Sequence, residues 1–472
     1  MATLTLPRLL SLHGLAVAVG LLVYVVLSHV RHQRRHPSAA IGWVLSLLLL
    51  PYAALPLYLL FGTRKLTRAG HSSLAARAPR PGDDDAAWPA QTAAALGQPR
   101  PTTYRALSVH ADGSASLRAL LEVIDGARHT LDLCTFILGR DAVGATVSAH
   151  LAARARAGLR VRLLLDGVGR MLGGRPDLSA LRRAGVHLEL FVPPLQSPLK
   201  GRTNLRNHRK LVVADAGRAA ERLWCGGRNL AVEYFEGAPG RPAWRDLSFD
   251  LQGPLVRQAA ELFQHDWVFA AGVEAPSTGA STADAEAAPD AAAGEPAGQV
   301  IASGPDQADD TVQALLVSAA YRARTRMKLV SPYVVLDDAL LMALTLAARR
   351  GVQVELLLPE RSNHRLADIA RHRSLRALAG AGVEVWLAPH MLHAKAAIID
   401  DALALVGSTN LDSRSLFLNY ELMVAFHDSG AIARYGAWFD LERSTARRYV
   451  AHPPDLWRDF GEGLVLWIGF QL

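Results

Sequence analysis

Two stretches of the sequence place a histidine and a lysine two residues apart, ahead of an apolar run that closes on an aspartate. One is His208-Arg209-Lys210 running on to Asp215, and the other is His393-Ala394-Lys395 running on to Asp400. The runs are β-prone, and on a strand positions i and i+2 share a face. Each histidine therefore stands beside its lysine, with Arg209 or Ala394 turned the other way. An imidazole next to a fixed cation suits a phosphodiester, because the nitrogen can attack phosphorus while the ammonium neutralises a non-bridging oxygen. Two such half-sites allow a division of labour. One histidine becomes a phosphohistidine, and the other protonates the departing alkoxide and then deprotonates the incoming alcohol.

A similar turn follows each motif: Gly226-Gly227-Arg228-Asn229 in the first copy and Gly407-Ser408-Thr409-Asn410 in the second. Glycines let backbone N–H groups come close to an anion, and Asn229, Ser408 and Asn410 are the expected phosphate-binding side chains. Each imidazole also needs a partner on its far nitrogen to fix the tautomer. Asp246 and Glu421, each heading the strand after its motif, are the candidates. Asp215 and Asp400 are either catalytic or simply the residues that end their strands in turns. The chain has only five lysines, and two of them fall at the same offset from a histidine within two repeats sharing the downstream Gly-x-x-Asn. Lysines and asparagines supply the charge stabilisation, so this chemistry calls for no metal and no cofactor.

The elements around the motifs are also duplicated. Helical patterns at 116–127 and 144–158 alternate with apolar strands at 130–137 and 161–166. The same order recurs as 311–325, 327–334, 338–350 and 352–359. Short apolar strands alternating with helices of this length predict an α/β protein with mostly parallel sheets covered on both faces. The expected organisation is a membrane-embedded segment over 1–68, a tether over 69–101, a first lobe over 102–272, a low-complexity linker over 273–310 and a second lobe over 311–472. The membrane segment rests on two apolar runs, 9–30 and 39–62, each near the ~20 residues needed to span ~30 Å of hydrocarbon. Prolines 51 and 56 are tolerable there if neighbours satisfy the freed carbonyls. Arg31, Arg34 and Arg35 on one side of the second run balance Arg64, Lys65 and Arg68 on the other, so charge assigns no orientation.

The formal net charge of +8 suits an anionic partner without choosing among nucleic acid, lipid and phosphorylated small molecules. Cys134 and Cys225 sit in apolar runs without metal-ligand spacing and read as buried hydrophobes.

These residues resemble the phospholipase D superfamily, whose signature is His-x-Lys-x4-Asp followed by Gly-Gly/Ser-x-Asn. Within it the chain resembles the bacterial cardiolipin synthases over nearly its full length. The matching residues are His36-Pro37, Asp166-Gly167-Val168-Gly169, Asn207-His208-Arg209-Lys210, Trp244-Arg245-Asp246, Ser331-Pro332-Tyr333, Leu392-His393-Ala394-Lys395, the run from Gly407 to Ser415, and Asn419-Tyr420-Glu421. The resemblance implies two similar phospholipase D-like lobes, each a mixed or parallel sheet flanked by helices, meeting at a pseudo-twofold axis behind two transmembrane helices. It implies transfer of a phosphatidyl group from one phosphatidylglycerol to another, with release of glycerol, at the bacterial inner membrane in a multi-pass protein. It also implies His208 as nucleophile and His393 as acid/base. Three positions depart from the pattern: Cys134 replaces a glutamate, Asn363 an aspartate, and His372 an arginine.

Two rivals stay open. A phospholipase D-type hydrolase, or a transferase to another alcohol, differs only in what resolves the phosphohistidine. An inactive lipid-binding scaffold is the alternative without chemistry, and the completeness of both half-sites speaks against it. Apolar spans favour phospholipid over nucleic acid as substrate.

Overall fold

The computed structural model describes residues 6–30, 37–62, 87–193, 203–272 and 295–468. The basic residues expected to flank the second span, most of the tether, and the linker as far as residue 294 lie outside the described residues.

The chain begins with α1 (Leu6–Val30), α2 (Pro37–Leu49) and α3 (Pro51–Phe61). Among the described residues, α1 alone is long and apolar enough to cross a membrane, with a mean hydropathy of 2.0 over Ser11–Ser28. The second expected span is broken. Leu50 leaves the helical region at φ −135°, and Pro51 opens α3 in the first turn, where a missing N–H costs nothing. At 1.5 Å per residue α2 and α3 reach only about 20 and 17 Å, each short of the ~30 Å core. Both fold back on α1: Leu47 is fully buried against Gly20, and the Ser28 and Tyr58 hydroxyls lie 3.3 Å apart. The outer surface of this hairpin is apolar, with Leu15, Leu22, Val25, Leu49 and Tyr52 exposed.

The expected tether ends in a helix, α4 (Trp88–Ala95). Its Trp88 and Ala93 are buried against Val312 and Leu316. The first half then runs β1 (Thr102–Thr103), β2 (Arg105–His110), α5 (Gly113–Gly126), β3 (Thr130–Thr135), α6 (Ala142–Arg156), β4 (Arg160–Asp166), α7 (Gly167–Leu172), α8 (Ser179–Arg183), β5 (His187–Phe191), β6 (Arg206–Asn207), β7 (Leu211–Ala214), β8 (Arg222–Gly226), β9 (Ser248–Gln252) and α9 (Leu255–Ala271). The second half comprises β10 (Ala297–Ser303), α10 (Thr311–Arg322), β11 (Arg326–Val330), β12 (Val334–Val335), α11 (Asp338–Arg349), β13 (Gln353–Pro359), α12 (Arg365–Gly380), β14 (Glu384–Ala388), β15 (Ala396–Ile399), β16 (Leu403–Gly407), β17 (Leu411–Asp412), α13 (Ser413–Phe417), β18 (Asn419–Phe426), α14 (Ser429–Ser444), β19 (Arg447–Arg448) and α15 (Leu456–Ile468).

One strand order occurs twice. The first sheet contains β9-β8-β7-β3-β4-β5 and the second β18-β16-β15-β11-β13-β14. Only the β3-β4-β5 and β11-β13-β14 ladders are parallel, and the remaining pairs of these runs are antiparallel. The mostly parallel sheets expected from the sequence are therefore mixed. Helices α6 and α11 carry the chain between parallel neighbours, whereas the motif strands are joined by hairpins, which force antiparallel pairing. The first copy has four more residues between Asp215 and Gly226 than the second has between Asp400 and Gly407, and they lie in its longer hairpin turn, 215–221 against 400–402. Strand β10 lies inside the expected linker, yet it is buried between β1 and β18.

The two sheets share one core in which Phe249 meets Phe426 and Phe191 meets Tyr420. Backbone pairing also crosses between them. β6 pairs in parallel with the start of β18, and Arg245 bridges to Leu392. These two crossings bracket the site.

Candidate active site

Both His-x-Lys motifs lie just ahead of their strands, where the chain leaves its own sheet to touch the other. The backbone N–H of His208 donates to the Tyr420 carbonyl at 2.8 Å, and that of His393 to the Arg245 carbonyl at 2.6 Å. Tyr420 and Arg245 each directly precede one of the candidate acids. The side chains then pair crosswise. His393 Nδ1 lies 2.7 Å from Asp246 Oδ2, and His208 Nδ1 lies 3.2 Å from Glu421 Oε1. Each half thus orients the histidine of the other. With Nδ1–H donating to the carboxylate, Nε2 carries the lone pair.

The acids are held by different means in the two halves. Asp246 is short and packs under Gly227, where a Cβ would stand 2.4 Å from its Oδ1. Glu421 is one methylene longer and takes the Ser408 hydroxyl at 2.6 Å. Ser408, expected to bind phosphate, instead donates to the acid behind His208. Asn419 lies between acid and imidazole, 3.2 Å from Glu421 Oε1 and 3.2 Å from His208 Nδ1. Gly407 lets β16 approach β18, since a Cβ there would meet the Leu422 carbonyl at 2.1 Å.

Burial sets the charge states. It pushes His208 down to about 4, with Lys210 and Arg414 adding to the fall and Glu421 opposing it. It pushes His393 down to about 3, reinforced by Lys395. Both imidazoles are therefore neutral near pH 7 and available as nucleophile and base. Burial alone would raise the acids, but His393 and Lys395 hold Asp246 at about 2, and His208 and Lys210 hold Glu421 below the usual carboxylate range. Burial also brings Lys395 down to about 7 and lowers Lys210. The Lys395 ammonium lies 2.7 and 3.0 Å from the two ring nitrogens of His393. Lys210 acts electrostatically on both Asp246 and His393, so the two motifs share one field.

Aromatic rings wall the histidines in. Phe136 stands 4.1 Å from His208, while Tyr234, Trp244 and Tyr333 stand 5.0, 5.6 and 6.4 Å from His393. Asn229 donates to the Tyr234 hydroxyl at 2.8 Å, and Asn410 donates to Ser415 Oγ at 3.1 Å. The asparagines are thus matched in the two halves, each bonded five residues downstream. Asp166 accepts the Asn207 N–H at 2.9 Å while capping α7, which fixes the approach to His208. The intervening Arg209 is fully buried and ties Glu421's carbonyl to Asp266 and Ser303. Phe136 and Tyr234 carry no motif offset that sequence reading could use, whereas Asp166, Trp244, Tyr333, Arg414 and Asn419 lie within the family-matching runs without a role that the sequence assigns.

Asp215 and Asp400 are not with the histidines. Each stands at the far end of its strand at positive φ, 51° and 47°. The Asp215 carboxylate accepts the N–H groups of Arg128, His129 and Thr130, and that of Asp400 accepts those of Arg324, Thr325 and Arg326. Of the two roles the sequence leaves open for them, this placement favours the structural one, clamping the start of β3 and of β11. Asp400→Asn keeps the shape and loses the charge of this clamp. It should lower unfolding stability by about 2 kcal/mol, measured by denaturant titration, with turnover per folded molecule retained.

Cys134 and Cys225 are free and buried, as expected from their apolar runs. Cys134 Sγ lies 3.5 Å from Asn207 Oδ1, behind the motif. Arg371, beside the departing His372, is buried and donates to the Pro359 and Glu360 carbonyls. Asn363 takes the Tyr333 hydroxyl at 2.5 Å.

A family model described as "Cardiolipin synthase, PLD-like domain" matches residues 316–442, and one described as "Phospholipase_D-nuclease N-terminal" matches residues 17–62. Cardiolipin synthase A of Pseudomonas aeruginosa is 34% identical over 449 residues, covering 91% of this chain and 89% of its own. The chain belongs to the cardiolipin synthase family. Cardiolipin synthase A of Pseudomonas entomophila is 30% identical and covers 86% of both chains. The crystal structure of phosphatidylserine synthase from Haemophilus influenzae shares the fold, with a TM-score of 0.56 at 12% identity over 80% of this chain and 98% of that one.

Proposed function

We propose that the chain is a membrane-bound phosphatidyltransferase that converts two phosphatidylglycerol molecules into cardiolipin and glycerol. The observation that carries the chemistry is the crosswise pairing of two neutral histidines, His393 buried and His208 partly exposed, with acids of the opposite half, under two lysines. In the first step His208 Nε2 attacks phosphorus of one phosphatidylglycerol. The bond to the glycerol oxygen breaks, and His393 delivers a proton to it. In the second step His393 takes the proton from a hydroxyl of the second phosphatidylglycerol, whose oxygen displaces His208. The bound diester's negative charge offsets the repulsion from Lys395, which lets His393 carry its proton in the complex. Greater exposure of the His208 side chain, 20% against 7% for His393, supports His208 as the nucleophile.

Lys210, Lys395, Asn229 and Asn410 are assigned to the phosphate oxygens, the asparagines by exchanging their present partners for the ligand. The repeated strand order supports two lobes, each giving half a site, with β10 (Ala297–Ser303) joining the second lobe ahead of its expected start at 311. The apolar exterior of α1, α2 and α3 supports anchoring in a bacterial membrane. In this reading α2 and α3 together form a second, broken span, which makes the protein multi-pass. Lipid presented at that surface is the substrate, and nucleic acid is not.

Purified protein incubated with phosphatidylglycerol in detergent should yield cardiolipin and glycerol by mass spectrometry, undiminished by a chelator. Phosphatidic acid as the sole product would replace the transferase by a hydrolase. Loss of activity on chelation would contradict a site built only from side chains.

A further inference from the structure

The last helix is amphipathic the wrong way round for a helix facing water. Its polar anchor points inward: Glu462 on α15 is 2% exposed and holds Arg376 of α12 at 2.6 Å and Arg458 at 3.0 Å. In its first turns Leu456, Trp457 and Phe460 point outward, exposed by 89%, 85% and 68%. The sequence beyond continues apolar as Leu464-Val465-Leu466-Trp467-Ile468. An open groove of about 790 Å³ runs along the contact of α15 with α12, with Arg373 and Arg376 on one side and Asp455, Leu456, Trp457 and Asp459 on the other.

Helix α12 extends this surface toward the site. Leu366, Ile369, Arg373 and Arg376 are spaced to share one helix face, and Leu366 and Ile369 are exposed. Just before this helix, Asn363 and His364 contact Tyr333, which packs against His393. Apolar side chains beside arginines at the edge of a lipid-handling site form the pattern of an interfacial helix on an anionic leaflet. A chain already held by α1 meets that leaflet at high effective concentration.

We propose that α15, with the adjoining face of α12, docks into the interface of an anionic phospholipid leaflet as a second membrane contact, seating the opening of the site on the bilayer. Leu456, Trp457 and Phe460 enter the acyl boundary, while the exposed Arg373 receives a lipid phosphate and Arg376 stays on Glu462, holding α15 to α12. The docking itself is independent of the reaction, and only the kinetic arm below rests on the proposed function.

The test uses the full chain carrying Trp457→Cys labelled with an environment-sensitive fluorophore, since both native cysteines are buried. It is reconstituted into vesicles of phosphatidylglycerol and phosphatidylcholine, with or without bromine on the acyl chains. The expected result is a blue-shifted emission that brominated lipid quenches. Emission unshifted from detergent-free buffer values overturns the proposal. A blue shift without quenching also overturns it, because the helix would then be covered by protein, such as a second copy. In the kinetic arm, Leu456→Gln/Phe460→Gln should raise KM for vesicle lipid roughly fivefold or more, with kcat and micellar activity unchanged. An equal fall on micelles would mean a folding defect and would count against docking. If no variant or wild-type protein makes cardiolipin, the proposed reaction fails while the quenching result still decides the docking.

Discussion

His208→Ala should lose essentially all turnover, by a factor on the order of 10⁴ or more, because no covalent intermediate can form without its nitrogen. His393→Ala should lose a similar factor on phosphatidylglycerol, but for a different reason: an alkoxide leaving group needs its proton. The difference shows with an aryl phosphodiester, whose phenolate leaves unaided. His393→Ala should still release one equivalent of phenolate from that substrate in a burst and then stall, whereas His208→Ala should release none. Stopped-flow absorbance of the phenolate reads both. Both variants should stay folded and membrane-bound, since neither imidazole anchors the core.

Asp246→Asn and Glu421→Gln should each cost about 10²–10⁴-fold in kcat, the scale for losing the carboxylate that fixes a catalytic imidazole. The more discriminating expectation concerns which histidine each acid serves. Asp246 lies in the first half yet faces His393, so Asp246→Asn should mimic His393→Ala and retain the phenolate burst. Glu421 lies in the second half yet faces His208, so Glu421→Gln should slow the burst itself. The pH profile adds a second readout. Asp246 is held at about 2 and stabilises positive charge on His393. Its loss moves the His393 pKa still lower and shifts the acid limb of kcat downward. A burst phenotype that followed each acid's own half would contradict the crosswise arrangement, whatever the loss of rate.

Much of the chemistry was legible because it is written in local spacing. His208 with Lys210, His393 with Lys395, and the downstream asparagines recur at fixed offsets, and the helices at 116–127 and 338–350 announce themselves by apolar period. The sequence also puts Asp246 and Glu421 forward as partners for the imidazoles, but not which histidine each one faces. That depends on backbone pairing between residues such as Asn207 and Tyr420, far apart in sequence. Asp215 and Asp400 share the motif's spacing without sharing its site, because a strand carries them away from the histidine at its other end. Strand β10 reads as linker because only Val300 and Ile301 of Ala297-Gly-Gln-Val-Ile-Ala-Ser favour a strand, and its burial between β1 and β18 overrides that. Helix α4 was hidden by Pro89, which reads as a breaker yet sits harmlessly in the first turn. The single long second span failed at Leu50-Pro51, where a continuous hydropathy signal conceals a backbone break.

The most direct test of the split site is to identify the covalent adduct. His393→Ala, incubated with the aryl phosphodiester and digested at neutral or alkaline pH, should yield a peptide carrying the phosphoryl group on His208, detected by mass spectrometry. Recovery of the adduct on His393 in His208→Ala, or no adduct on either histidine despite a phenolate burst, would contradict the assignment of nucleophile and acid to opposite halves.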